Sequence, residues 1–175
     1  MALVVNADGD SELLDPYGGS QHLISRELVF LHDESVVEDP TRVVRAARYA
    51  ARLGFSLGEQ SIRQVKSTLQ LWPWSWRLGD PLDLVPPALG TRLRMELELL
   101  FNHEPWPQAL SSLQDWSALS LLDHNLQNDS FLYPRLRCAN RLRIPLLCAL
   151  LSAAADPVAL SQRLQIAGQQ QRWIE

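Results

Sequence analysis

Apolar positions recur at helical spacing over most of this chain and depart from it only near the start. Leu89, Leu93, Leu97 and Leu100 fall three and four residues apart, which predicts a helix over 86–101 with one buried stripe. The same reading predicts helices over 61–71, 106–113, 117–122, 133–142, 145–155 and 157–166. The helix with the clearest punctuation lies over 40–53. It has Asp39 at the N-cap, Pro40 at the first helical position and Gly54 just past its end. Upstream, 2–7 and 12–15 predict two short strands, with the turn chemistry of Asp8-Gly9-Asp10 between them making a hairpin. Pro16-Tyr17-Gly18-Gly19 breaks that pattern, and 23–30 reads as a short helix leading into a strand. The fold class expected is α+β, mostly α: a β-hairpin start joined to a helical remainder, without internal repeats.

Composition narrows the class further. The chain has 175 residues, 46% hydrophobic and 21% charged, enough for a real core and unlike disordered or collagen-like chains. Cys138 and Cys148 cannot supply a disulfide framework, and no His/Cys cluster has metal-ligand spacing, so a reduced, cytoplasmic setting is expected. His22, His32, His103 and His124 are scattered, with no nucleophile or ligand partner at a telling spacing. No apolar run approaches the roughly 18 residues of a membrane span, and the start lacks the basic region of a signal peptide. A net charge of −4 argues on average against a dedicated nucleic-acid binder, but the charge comes in blocks. Residues 1–40 carry a net −8, 41–77 a net +6, 78–130 a net −6 and 131–175 a net +4. Of the 16 bases, 15 are Arg, whose planar fork of donors suits phosphates and base edges.

The first basic block is organised. At about 100° per residue, with Arg42 at 0°, Arg45 lies near 300°, Arg48 near 240° and Arg52 near 280°. Val43, Ala47, Ala50 and Ala51 occupy the other side. One face of this helix is therefore packed and the other is a row of guanidiniums. A solvated face would look the same, but like charges so close repel, and no acid between Asp39 and Glu59 relieves them. A ligand with several phosphates fits such a row.

The run Glu38-Asp39-Pro40-Thr41-Arg42-Val43-Val44-Arg45-Ala46-Ala47-Arg48, continuing to Arg52-Leu53-Gly54-Phe55, closely resembles the EDxxRxxRxxRF…RLGF signature of bacterial class II tRNA nucleotidyltransferases. These are the CCA-adding enzymes and their poly(A) polymerase relatives. Leu14-Asp15-Pro16-Tyr17-Gly18-Gly19 is similar to the DPFGG turn of that family, and Met1-Ala2-Leu3 to the end of its RRDFTINAMAL segment. Thr91 to Leu100 resembles its RIRxELxxLL helix, so the likeness runs from the first residue to about Leu122. It implies that Asp39 and Arg42 form a protein template for the incoming base, with Arg45 and Arg48 helping to hold the nucleotide. The chemistry is coherent. Cytosine and adenine each set an exocyclic amine beside an unprotonated ring nitrogen, matching a carboxylate acceptor and a guanidinium donor. Uracil and guanine place a carbonyl and a ring N–H there. Capping the helix and facing a base are compatible duties for Asp39, whose carboxylate has two oxygens; Glu38 is expected to be structural.

The resemblance further implies Mg²⁺, held by a DxD pair on a head segment that this chain begins after, so catalytic residues are expected to lie outside it. Asp8-Gly9-Asp10 falls in the hairpin turn, downstream of the place where that pair belongs. Alone, the chain is expected not to polymerise nucleotides. It reads as a C-terminal fragment, a truncated gene product or half of a split enzyme with a separate head chain. The implied organisation is 1–34 as the rear of a nucleotidyltransferase head, 35–102 as a nucleotide-recognising neck and 103–175 as a tRNA-binding body. The implied partners are tRNA, CTP and ATP, with no membrane. Arg135, Arg137, Arg141 and Arg143 are the candidate RNA contacts in the body, although a solvated face accounts for them equally. Trp72, Trp74 and Trp76 suit a plug between helices better than a stacking platform for bases. Three other readings remain at this stage: a poly(A) polymerase-type RNA nucleotidyltransferase, a non-catalytic RNA-binding helical module, and a helical adaptor whose arginines meet an acidic partner.

Overall fold

The computed structural model describes residues 2–5, 9–71, 81 and 86–174. Strands β1 (Ala2–Val5) and β2 (Ser11–Leu14) pair antiparallel, with Ala2 opposite Leu14 and Val5 opposite Ser11, so the expected hairpin pairing is present. The following turn is built by Asp15. Its Oδ1 accepts the Gly19 N–H at 2.7 Å and its Oδ2 the Ser20 N–H at 2.7 Å, which caps α1 (Gly19–Ser25). Those bonds, the one from Ser20 foremost, hold the Asp15 carboxyl below its ordinary pKa. Gly18 takes a left-handed φ of 65° that a side chain would strain. A two-residue strand β3 (Glu27–Leu28) then runs parallel to β4 (Ser56–Leu57).

Between them lie α2 (Ser35–Glu38) and the long α3 (Thr41–Leu53). Helix α3 begins one residue later than expected, because Pro40 flanks it and does not open it. It ends as expected at Gly54, whose φ of 66° lets the Phe55 N–H return to the Ala50 carbonyl at 3.1 Å. The remainder is helical: α4 (Glu59–Gln70), α5 (Thr91–His103), α6 (Trp106–Asp115), a 3₁₀ turn (Ala118–Leu121), α7 (His124–Asn128), α8 (Leu132–Arg141), α9 (Leu146–Leu151), α10 (Pro157–Arg163) and α11 (Gly168–Gln171). The mostly helical α+β class holds.

Several boundaries differ from the sequence reading for local reasons. The helix expected over 86–101 starts at Thr91, because Pro86–Gly90 is spent on a turn in which the Leu89 and Gly90 N–H groups both return to the Pro86 carbonyl. Leu89 is buried all the same. The segment expected over 117–122 tightens to 3₁₀ behind Ser117, which has a φ of 63°, and the last long helix stops at Arg163, ahead of Gln165 with a φ of 53°. The elements the pattern missed (α2, β4, α7, α11) are five residues or fewer, too short to show a period. The Trp72, Trp74 and Trp76 cluster lies outside the described residues.

Helix α3 packs against both α5 and α6, and one apolar cluster runs continuously from Val36 to Ile174. Val43, Ala47 and Ala50 face it from α3, and Leu93, Leu97 and Leu100 from α5. Burying Leu-sized side chains contributes about 1.5–3 kcal/mol each. This core presses α3 onto α5 and thereby fixes which charged groups of the two helices meet.

Candidate nucleotide-recognition site

Asp39 sits in extended backbone between α2 and α3 and is only 6% exposed. Its Oδ1 accepts both the Thr41 N–H at 3.1 Å and the Thr41 hydroxyl at 2.6 Å. Its Oδ2 accepts from the guanidinium of Arg92 on α5. A carboxylate offers about four acceptor positions. Three are filled, which leaves one on Oδ2.

Arg42, one turn along, is held through a single nitrogen. Its Nη1 donates to the Ser35 carbonyl at 3.0 Å and to Glu38 Oε2 at 3.2 Å. The same Glu38 oxygen lies 3.5 Å from His32 Nε2, so Glu38 does have a contact, and it is to the arginine of the pair. Beside Arg42 opens a cleft of about 490 Å³, lined by Leu28, Phe30, His32, Arg42, Arg45 and Tyr49 among others. That volume is within the range of small-ligand sites, and a mostly apolar lining with a few polar groups is their usual make-up.

The rest of the arginine row corrects the sequence reading. It is not free of acids, because Glu96 on α5 and Glu104 just past its end supply them from about fifty residues downstream. Arg45 donates to Glu96 Oε1 through Nε at 3.0 Å and Nη2 at 2.7 Å. Arg48 spans two carboxylates, reaching Glu96 Oε2 at 2.5 Å and Glu104 Oε1 at 3.3 Å. Arg52 closes on Glu104 through Nε at 2.9 Å and through Nη2. Arg48 was expected on the open face but is buried: Thr41 and Val44, which flank it on the helix surface, are buried too, and Glu96 and Glu104 meet its guanidinium. The Tyr49 ring lies under Arg48 and Arg52, 5.9 and 5.6 Å from centroid to guanidinium carbon, in cation–π range. Hydrogen bonding from Arg52, with the charges of Arg52 and Arg48, holds the Glu104 carboxyl below its ordinary pKa; hydrogen bonding to Glu96 raises that of Arg45.

Sequence reasoning missed Arg92, Thr41, Glu96 and Glu104. Glu96 did leave a signal. At about 100° per residue it falls within about 60° of Leu93 and Leu100, on the apolar arc of its helix, and a carboxylate in that position needs a cation opposite. Glu104, just past the helix end, left none.

The four candidate arginines of the body are all exposed but are not gathered on one face. Arg137 and Arg141 are one turn apart on α8. Arg135 turns away to Asp129 Oδ2 at 2.6 Å, beside a groove lined by Cys138, Leu142 and Trp173. Arg143 sits beyond the helix with a φ of 58°, on a separate groove with Asn102 and Asn140.

This fold, a small α/β start leading into a helical stack, is shared with solved tRNA-processing enzymes. A tRNA-processing enzyme solved with CTP matches 96% of the chain at a TM-score of 0.68 and 20% identity, over 48% of its own length. A tRNA nucleotidyltransferase solved with a primer tRNA and an incoming ATP analogue matches 97% at a TM-score of 0.66 and 20% identity, over 52% of its length. In sequence, the chain is 37% identical over 176 residues to the CC-adding tRNA nucleotidyltransferase of Deinococcus radiodurans, covering 95% of this chain and 40% of that protein. It is also 37% identical over 127 residues to the A-adding enzyme of Aquifex aeolicus, covering 73% of this chain and 14% of that protein. No family model matches. Over nearly its whole length the chain is similar to tRNA nucleotidyltransferases, and it spans about two-fifths of the Deinococcus relative.

Proposed function

We propose that this chain supplies the base-selecting neck (35–102) and the tRNA-contacting body (103–175) of a tRNA 3′-end (CCA) nucleotidyltransferase acting in the cytoplasm. The observation that carries the reading is Asp39, a buried carboxylate that accepts three hydrogen bonds and has one acceptor position left, one helical turn from Arg42, which lines a cleft of about 490 Å³. The remaining Oδ2 position accepts one hydrogen of the exocyclic amine of cytosine or adenine. The guanidinium of Arg42, anchored through Nη1, donates through its other nitrogens to the adjacent ring nitrogen. Uracil and guanine mismatch both contacts, and each buried polar group left unpaired costs about 1–3 kcal/mol, or roughly 10- to 100-fold in affinity. Arg45 lines the cleft and offers positive charge to the nucleotide, whereas Arg48 acts from beneath by fixing the two glutamates. In the body, Arg137 and Arg141 with Arg135 and Arg143 are the proposed RNA contacts.

The resemblance implies a reaction that uses Mg²⁺. Among the described residues no group of three or more His, Cys, Asp or Glu is placed to hold a metal, and no step here runs through one. Likewise, no helix among the described residues is long and apolar enough to cross a membrane. The test is calorimetric titration of the chain with CTP, ATP, UTP and GTP. CTP and ATP are expected to bind at least tenfold more tightly than UTP and GTP, and Asp39→Ala is expected to erase the difference. Equal affinity for CTP and UTP in the unmodified chain refutes the reading.

A further inference from the structure

Resting on that reading, we infer that Arg92 is a specificity-determining positioning residue: it aims the Asp39 carboxylate so that a single acceptor position faces the base. Left to itself, a carboxylate rotates about its Cβ–Cγ bond and serves donors in many directions. Here both oxygens are committed. The Thr41 N–H and hydroxyl fix Oδ1, and Thr41, only 1% exposed, is itself locked in the core. Thr41 alone leaves Oδ2 both of its acceptor positions. Arg92 removes one of them and sets the plane of the group. An acceptor with two open positions can take the N3–H of uracil as readily as the amine of cytosine by a small shift of the base. With one position open, the shift loses the bond. Selection at Asp39 thus depends on a residue more than fifty positions away that itself faces solvent, with its side chain half exposed.

The placement of Arg92 favours this role over a purely architectural one. The contact between α3 and α5 is already secured by Glu96 and Glu104, each held by two arginines of α3, and by the leucine stripe of α5. Arg92 adds an ion pair at the end of that zip, on the buried carboxylate of the site. A half-exposed arginine at a rim contributes little to stability, but charge-assisted hydrogen bonds are directional.

The experiment measures CTP and UTP affinities for the unmodified chain, Arg92→Gln, Arg92→Lys and Arg52→Gln, with a thermal melt of each. Arg92→Gln is expected to reduce the CTP/UTP affinity ratio about tenfold while melting within about 2 °C of the unmodified chain. Arg92→Lys, which keeps the charge and one donor, is expected to restore part of the ratio. Arg52→Gln loosens the far end of the same zip and is expected to leave the ratio unchanged. A ratio unaffected by Arg92→Gln overturns the inference. So does an equal loss in Arg52→Gln, which would make the effect architectural. Tighter CTP binding by Arg92→Gln would mark Arg92 as a competitor for the carboxylate, and overturns it as well. If the unmodified chain shows no preference for CTP, it is the base-selection reading itself that fails.

Discussion

Replacing Glu104 by Gln tests how α3 is held to α5. The side chain of Glu104 is fully buried and accepts from Arg52 Nε and Nη2 and from Arg48 Nη2. The amide keeps the shape and one acceptor oxygen but removes the charge. Arg52 is half exposed and can turn to water at small cost, so most of its two bonds is recovered. Arg48, whose side chain is only 10% exposed, cannot turn, and Glu96 becomes its sole carboxylate. Removing one partner of a fully buried pair costs about 3–5 kcal/mol. Relaxation of Arg52 and the retained amide oxygen bring this to about 2–3 kcal/mol, by the usual 1.5–3 for a hydrogen bond to a charged group. For a chain of this size that is a fall in Tm of about 4–12 °C, measurable by circular dichroism at pH 7. The pH dependence gives a second readout. The folded-state pKa of Glu104 lies below the unfolded value of about 4.3, so its contribution is complete above that value and is lost as pH falls through the folded one. The gap between the unmodified chain and Glu104→Gln is therefore expected to narrow below about pH 4. A Tm loss under about 2 °C at pH 7, or a gap that widens in acid, refutes the reasoning.

Gly54→Ala meets no neighbouring atom but must hold a φ of 66°, so a loss of about 1 kcal/mol, or 2–4 °C in Tm, is expected by thermal melt; no change would mean the α3 C-terminus relaxes freely. Arg137→Glu with Arg141→Glu is expected to weaken tRNA binding at least tenfold and to reduce the slope of log affinity against log salt by about two, by filter binding at several salt concentrations; an unchanged slope removes α8 from the RNA surface.

How far the sequence alone could go is clearest at α3. Its start, its Gly54 stop and its packed face follow from capping chemistry and a 3.6-residue period, both local properties. The environment of its arginines is not local. Whether Arg48 meets solvent, phosphate or glutamate depends on how α5 docks, and that depends on where the leucines of α5 face after a connection of some twenty residues. The hairpin was legible through the turn chemistry of Asp8-Gly9-Asp10 between two short strand-like segments, whereas the parallel pairing of β3 with β4, two residues each, has no pattern long enough to register. The Asp39–Arg42 pair could be singled out only through the resemblance of 38–55 to the family signature. The partners that aim it, Thr41 and Arg92, could not, because a threonine in a first turn and an arginine on an exposed face are ordinary in any helix.

The corrected charge layout also changes what the site can do. A row of four unpaired guanidiniums would attract any polyanion, with little regard for its base. In the folded chain Arg45, Arg48 and Arg52 face Glu96 and Glu104, so three positive charges meet two negative ones and a single net charge remains; Arg42 is matched by Glu38, and Asp39 by Arg92. Such a near-neutral network is a poor electrostatic trap but a good jig. Paired ions on a packed core hold their directions, and directional donors and acceptors distinguish a cytosine edge from a uracil edge, which carry the same phosphates and the same charge. On the proposed reading, neutralising the row therefore moves the work of α3 from attracting a nucleotide to choosing one.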